Sequence, residues 1–408
     1  MSDTSGIQGR EPFPGAPGSH PLPQRFGGRG DVAPAARRRR LSRGVLAVGL
    51  AVIVSGGAFG GVQLGSNLRF DDAAAAYDTA LDEAVDARDS LETAGSGLEA
   101  TRASADALVV GNTGMLLDGV PLAHLDAAIA AAEDASAAAD GILATEVESE
   151  PEKPGWFWEL FAAAAHLDEA RADAADFEEA AEAQAPLVTA SEDALTTAGI
   201  TVISAASTAA GPFEGAHLSA RNADVIALRA AAASSADPVA LDDEAVAGFA
   251  QLQAAAAKVV ESENAELAEK DGPLRTNRLE IEAFARSLAP GVLLEFDWAP
   301  TVNGYGAEGS MGGYTTWWWD EPDRAVILLS NSVAEQWPAE RSRALVAHEV
   351  GHAISVKCEE MYDSSTQDSI EKWATAWAIG MGFIDDANGV WAYGYPPQTY
   401  IDAAAGCR

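Results

Sequence analysis

The chain has 408 residues, with 62 acidic against 26 basic side chains and a formal net charge of −36. Phosphate backbones are held by clustered lysine and arginine, so so acidic a chain argues against nucleic acid as a partner. The length suits two or more domains.

Residues 1–36 are rich in Pro, Gly, Ser and Arg and have almost no aliphatic pattern. Such a segment cannot bury enough apolar surface to offset its ordering entropy, and 1–43 read as a disordered basic tail. Arg37 to Arg40 and Arg43 end it. An arginine run can bind nucleic acid or lipid, but an uncharged apolar segment starts immediately after this one, so it reads as a topology signal. Gly44 to Leu64 is 21 residues without a charge, long enough to cross a bilayer core. We read 44–65 as a single-pass transmembrane anchor. Arginines before it, and Asp71 and Asp72 after it, put the N-terminus in the cytoplasm and the bulk of the chain outside the cell membrane. A cleaved signal peptide is the competing reading, against which the leader is long. Gly56, Gly57, Gly60, Gly61 and Gly65 form small-xxx-small pairs that could let two anchors, and the segments behind them, pair as a homodimer.

Residues 66–290 are Ala-rich and acidic, with little strand signal. Tyr77, Ala80, Ala84, Ala87, Leu91, Ala94, Leu98, Thr101, Ala105 and Leu108 keep a and d spacing. Leu122, Leu125, Ile129, Ala132, Ser136, Ala139 and Leu143 repeat it, and so do Leu160, Leu167, Ala174, Ala181, Val188 and Leu195. Breaks are expected at Gly111–Gly119, Glu150–Gly155, Gly211–Gly215 and Asp237-Pro238. The expectation is a stalk of long helices, closely packed because alanine lets backbones approach. Trp156, Phe157 and Trp158 read as a core plug at a hairpin end, with a ligand groove or membrane contact as the alternative. His124, His166 and His217 are scattered and share no ligand spacing.

The composition changes at Pro290-Gly291. Val292–Trp298, Tyr314–Trp319 and Ala325–Ser330 read as strands, the last two as a hairpin over Asp320 to Asp323. Gly304–Gly313 is a Gly-rich loop without the Lys and Ser/Thr spacing of a phosphate loop. Trp317 to Trp319 could wall a cleft, although successive strand residues face opposite ways and at least one belongs in a core. Cys358 and Cys407 are the only cysteines. If this part is exported, they can form a disulfide; otherwise they are two buried thiols.

The stretch His348-Glu349-Val350-Gly351-His352 reads H-E-x-x-H between apolar residues. On a helix, positions i and i+4 share a face, so His348 and His352 can point two imidazoles at one metal ion. Glu349 lies beside the first, placed to take a proton from water at the metal. The plainer reading is a helix with two unrelated histidines. Pro338 suits a first helical position and Glu340 the first turn. A zinc site needs a third protein ligand. The glycine and histidine that a metzincin would place after His352 are here Ser355 and Cys358. Glu371 follows His352 by 19 residues, with Ala374 three residues on. Asp368-Ser369-Ile370-Glu371 also reads as a capping box, which needs no metal. Asp363, Glu359, Glu360 and Cys358 are the other candidate ligands.

H-E-x-x-H followed by E-x-x-A resembles the gluzincin type of zincin metallopeptidase, over roughly the last third of the chain. The resemblance implies Zn2+ held by His348, His352 and Glu371, with Glu349 as general base. It also implies an α+β domain in which a strand beside the cleft pairs with an extended peptide substrate. Many such enzymes carry an aspartate four residues after the ligand glutamate; here that position is Thr375. The expected fold is mainly α: a transmembrane helix, an Ala-rich multi-helix or coiled-coil stalk, and a zincin-like domain over 291–408. The expected activity is hydrolysis of peptide or protein substrates outside the membrane. No histidine follows His352, so the donor to the oxyanion is sought among tyrosines: Tyr393 and Tyr395 first, Tyr362 and Tyr400 as alternatives. The rival expectation is an envelope scaffold whose helices are the function and whose C-terminal domain is inactive or purely structural.

Overall fold

The computed structural model describes the backbone of residues 43–408 and the side chains of residues 57–408. The tail expected over 1–43 therefore lies almost wholly outside the described residues. Contacts divide the chain after Gly65. In the first unit every described residue is helical, including the apolar stretch read as an anchor, whose side chains before residue 57 lie outside the description.

The second unit, Ser66–Arg408, is mainly helical with one small mixed sheet near its C-terminus. It opens with the part of α1 (Arg43–Gly111) that follows Gly65, and then come α2 (Gly119–Leu143), α3 (Phe157–Ala216), α4 (Asn222–Ser234), α5 (Asp243–Glu269) and α6 (Arg275–Leu288). The heptad positions set their packing. In α1, Tyr77, Ala84, Leu91, Leu98, Ala105 and Leu108 are buried, and Leu160, Leu167, Ala174, Ala181, Val188 and Leu195 of α3 join the same core. Arg88 donates to the carbonyls of Leu143 and Thr145, and Arg102 pairs with Glu133, so α1 and α2 run antiparallel. Arg88 also lies over the Phe177 ring and Thr101 meets Glu192, so α3 runs parallel to α1.

Two expectations fail here. No break falls at Gly211–Gly215, because α3 runs on through Pro212 to Ala216. Its buried Val202, Ile203, Ala206 and Ala210 hold the turn in the core, outweighing the ~3 kcal/mol that an interior proline costs. Trp156 and Trp158 are not a core plug: both are about half exposed. Among the described residues α3 is also the one helix long and apolar enough to cross a membrane, with a mean hydropathy of 1.3 in its best window. Its buried face belongs to the bundle core.

The C-terminal part has its own core, and that core starts at α6, before residue 291: Ile281, Ala285 and Ala289 pack with Leu294, Phe296, Ile327, Val350 and Trp377. The sheet has the order β1-β3-β2. β1 (Leu293–Ala299) lies parallel to β3 (Glu321–Ser330), and β2 (Gly313–Trp318) antiparallel to β3, joined by the short turn Trp319-Asp320. β2 is thus an edge strand. The short α7 (Asn331–Glu335) leads to α8 (Glu340–Ser355), a 3-10 turn (Val356–Met361), and α9 (Gln367–Gly380). A second 3-10 turn (Asp386–Asn388), α10 (Val390–Tyr393) and α11 (Gln398–Ala404) complete the chain. Cys358 and Cys407 form the disulfide, pinning the C-terminus beside the end of α8.

A buried ionic cluster ties the helices to the sheet. Lys270 lies between Glu266 and Glu282, at 3.4 and 3.3 Å, and all three side chains are buried. Arg221 reaches Glu266 at 2.8 Å, and the Trp298 indole donates to Glu282 at 3.2 Å. Asn222, at the start of α4, donates to the carbonyls of Leu293 and Ala325. Lys270→Met would leave two buried carboxylates without their shared cation. Denaturant unfolding should report a loss of about 3–5 kcal/mol, the usual effect of breaking a buried pair from one side. A loss below ~1 kcal/mol would mean that water or Arg221 and Arg286 already neutralise the cluster.

Candidate metal centre

Helix α8 carries His348 and His352, and α9 carries Glu371. The two helices meet closely where neither has bulk. A side chain on Gly351 would strike the backbone of Ala374, so the glycine inside H-E-x-x-H and the alanine of E-x-x-A form one contact. That contact brings the three side chains together. His348 Nε2, His352 Nε2 and Glu371 Oε2 form a triangle with sides of 3.2, 3.2 and 3.2 Å. All three residues are buried. Among the described residues they are the group whose donor atoms converge so as to hold a metal ion.

The start of α9 resolves the competing reading of Glu371. The cap is Thr366, whose hydroxyl accepts from Ser369 N, so Glu371 lies past the first turn and caps nothing. Its Oε1 accepts from Gln367 at 2.7 Å, which leaves Oε2 for the histidines. Burial works against the carboxylate's charge, but hydrogen bonds from and the charges of both histidines outweigh it and hold the group well below the usual carboxylate range. Three of the alternative ligands are elsewhere engaged, and Glu360 is exposed and outside the converging group. Glu359 accepts from Ser364, Asp363 accepts from Ser365, and Cys358 is in the disulfide. Pro338 precedes α8 by two residues and is not its first residue; Glu340 does open it.

The supports of the two imidazoles differ. Thr375 places its hydroxyl 3.5 Å from His348 Nδ1 while donating to the Glu371 carbonyl at 2.8 Å. The position four residues after Glu371 therefore faces the histidine, with a hydroxyl there in place of a carboxylate. Among the described residues His352 Nδ1 is buried without a hydrogen-bond partner, and its ring is held by stacking on Trp317, 5.3 Å away and 5° from parallel. Gly389 backs the other ring. Its φ is +105°, and a side chain there would overlap both Thr375 Oγ1 and His348 Nδ1.

Glu349 is buried beside the triangle. Its Oε2 accepts from the Thr315 hydroxyl at 2.7 Å, and Gly313 lets β2 pass close against its carboxyl, since any side chain there would collide with it. Burial raises the pKa of Glu349, opposed by the His348 charge and the Thr315 hydrogen bond. His348 and Glu349 line a cleft of about 290 Å³ with Tyr305, Met311, Gly313, Arg341, Trp391 and Tyr393. Tyr393 stacks over His348, with ring centres 6.0 Å apart. Burial, the Glu371 charge and a hydrogen bond donated to Glu371 raise its pKa far above a free phenol's. Tyr395 is 68% exposed and does not line the cleft. Tyr362 stacks on Trp373, and Tyr400 meets the Ser369 hydroxyl. Of the four tyrosines only Tyr393 is at the site.

Thr315 and Gly389 carry no sign of the site in the sequence, and Gly313 and Tyr305 are legible there only as parts of the Gly-rich loop 304–313. A glycine among 38 gives no local sign that a histidine or a glutamate needs its space. No family model, curated protein or solved structure matches this chain.

Proposed function

We propose that the chain is a zinc-dependent peptidase of the zincin type, held at the cell membrane by residues 44–65 and acting on peptide or protein substrates outside it. The observation that carries this reading is the triangle of His348, His352 and Glu371. A tetrahedral zinc site with bonds of about 2.0–2.1 Å holds its donor atoms roughly 3.3–3.4 Å apart, and the three donor atoms here are 3.2 Å apart. Two imidazoles and a carboxylate are also a donor set that zinc favours.

Zinc bound there would polarise a carbonyl and lower the pKa of water at its open position toward ~7. The protein residues divide the remaining work. Glu349, fixed by Thr315, takes a proton as water oxygen bonds to the scissile carbonyl carbon, and passes it to the amide nitrogen as the C–N bond breaks. The Tyr393 phenol lines the cleft, and its proton, donated to Glu371 before substrate binds, can turn to the oxyanion that develops on the former carbonyl. The free edge of β2 offers backbone groups to an extended peptide.

The direct test is cleavage of a library of unstructured peptides by the purified chain, read by mass spectrometry of products. Cleavage is expected that stops on chelation and returns with zinc. A metal-loaded protein that leaves every peptide and unfolded protein intact would favour the scaffold.

A further inference from the structure

We propose that the exposed aromatic patch of Trp156, Trp158 and Phe161 docks into the outer interface of the bilayer. The proposal rests on the anchor reading of residues 44–65 and is independent of the peptidase reading.

Trp156, Trp158 and Phe161 are 53%, 52% and 44% exposed. The two indoles stack on each other with centres 5.2 Å apart and planes 5° from parallel. A clustered apolar surface of this kind marks a contact site more often than isolated exposed residues do.

Its place in the bundle names the partner. The first turns of α3 are tied to the Ser66 end of α1: Arg69 pairs with Asp168 at 3.2 Å, and Lys153 binds Asp71 at 2.5 Å while lying over the Phe70 ring. Because α3 runs parallel to α1, Trp156 and Trp158, before Asp168 in sequence, lie at the end of the bundle where Ser66 begins. The uncharged segment 44–64 stops two residues before Ser66. If that segment crosses the bilayer, chain connectivity alone keeps the Ser66 end of the second unit within a few residues of the headgroups. Tryptophan is the side chain most suited to that zone, with an apolar body and one N–H for the wet side.

The charges select among membranes and against other partners. Glu150, Glu152 and Glu159, close to the indoles in sequence, and Asp71 and Asp72, on the stretch of α1 that Lys153 ties to them, are all exposed. They repel anionic headgroups, so insertion of indoles holds the contact, and a zwitterionic bilayer suffices.

The test uses the full chain in phosphatidylcholine vesicles whose acyl chains carry bromine near the headgroup. Trp156 and Trp158 are two of ten tryptophans, so bromine is expected to quench up to about a fifth of the emission. W156F/W158F, which keeps the apolar surface and the fold, is expected to lose most of that quenching. A chain that floats with the vesicles yet shows no quenching, or equal quenching in the variant, overturns the docking alone. A chain that does not float with the vesicles overturns the anchor reading and the docking with it.

Discussion

His352→Ala and Glu371→Ala should each abolish stoichiometric zinc. The intact chain is expected to bind about one zinc, read by elemental analysis after dialysis against free metal. Losing a hydrogen bond behind a zinc ligand already costs roughly 10–100-fold in affinity, so losing a ligand should cost more than about 100-fold. The geometry says why no neighbour would substitute. Glu359 and Asp363 face serines in the turn after α8, and Cys358 is locked to Cys407. Either variant opens a gap where three donor atoms met, and the remaining two hold an ion poorly. Zinc lost with His352→Ala and kept with Glu371→Ala would take Glu371 out of the site and reduce its meeting with the histidines to a buried ion pair. No zinc in the intact chain, even when it is supplied, would sink the peptidase reading.

The parts legible in the sequence are those written in short-range pattern. The a and d positions of α1 and α3 mark the residues that are buried, because seven-residue spacing lays them along one face. H-E-x-x-H and E-x-x-A mark the three converging side chains, because both motifs sit on helices whose geometry is local. Where the prediction failed, contacts distant in sequence decided. Pro212 ends no helix because buried neighbours on α3 hold it. The indoles beside Pro154-Gly155 face outward because alanine and leucine positions already fill the core. The parallel pairing of β1 with β3 joins strands across the 300–312 loop and the whole of β2, and has no local signature. The boundary of the C-terminal core moves back to α6 because Ile281 and Ala285 lie on the sheet side. Gly389 and Gly313 matter only through what crowds them, and no pattern in the chain records that.

Glu349→Gln should separate chemistry from metal binding. The amide has nearly the shape of the carboxylate, and its oxygen can still accept from Thr315, so β2 and the start of the cleft should keep their places. It sits beside the triangle, not in it, so zinc content is expected to match that of the intact chain. What is lost is the basic oxygen. Removing a positioned general base typically costs about 10²–10⁴-fold in rate, and peptide cleavage should fall by that amount at unchanged zinc. The same variant tells the two readings of the protein apart. A structural metal site closes its coordination with protein groups and has no use for an acidic side chain beside its ligands. Here a carboxylate is buried against β2, raised in pKa by that burial, and opens onto a cleft. Burying an ionisable group is costly, and one that is buried with a raised pKa at the wall of a cleft is a candidate for chemistry there. Equal cleavage by Glu349→Gln and the intact chain would assign proton transfer to another group, and Tyr393 is the residue to replace next.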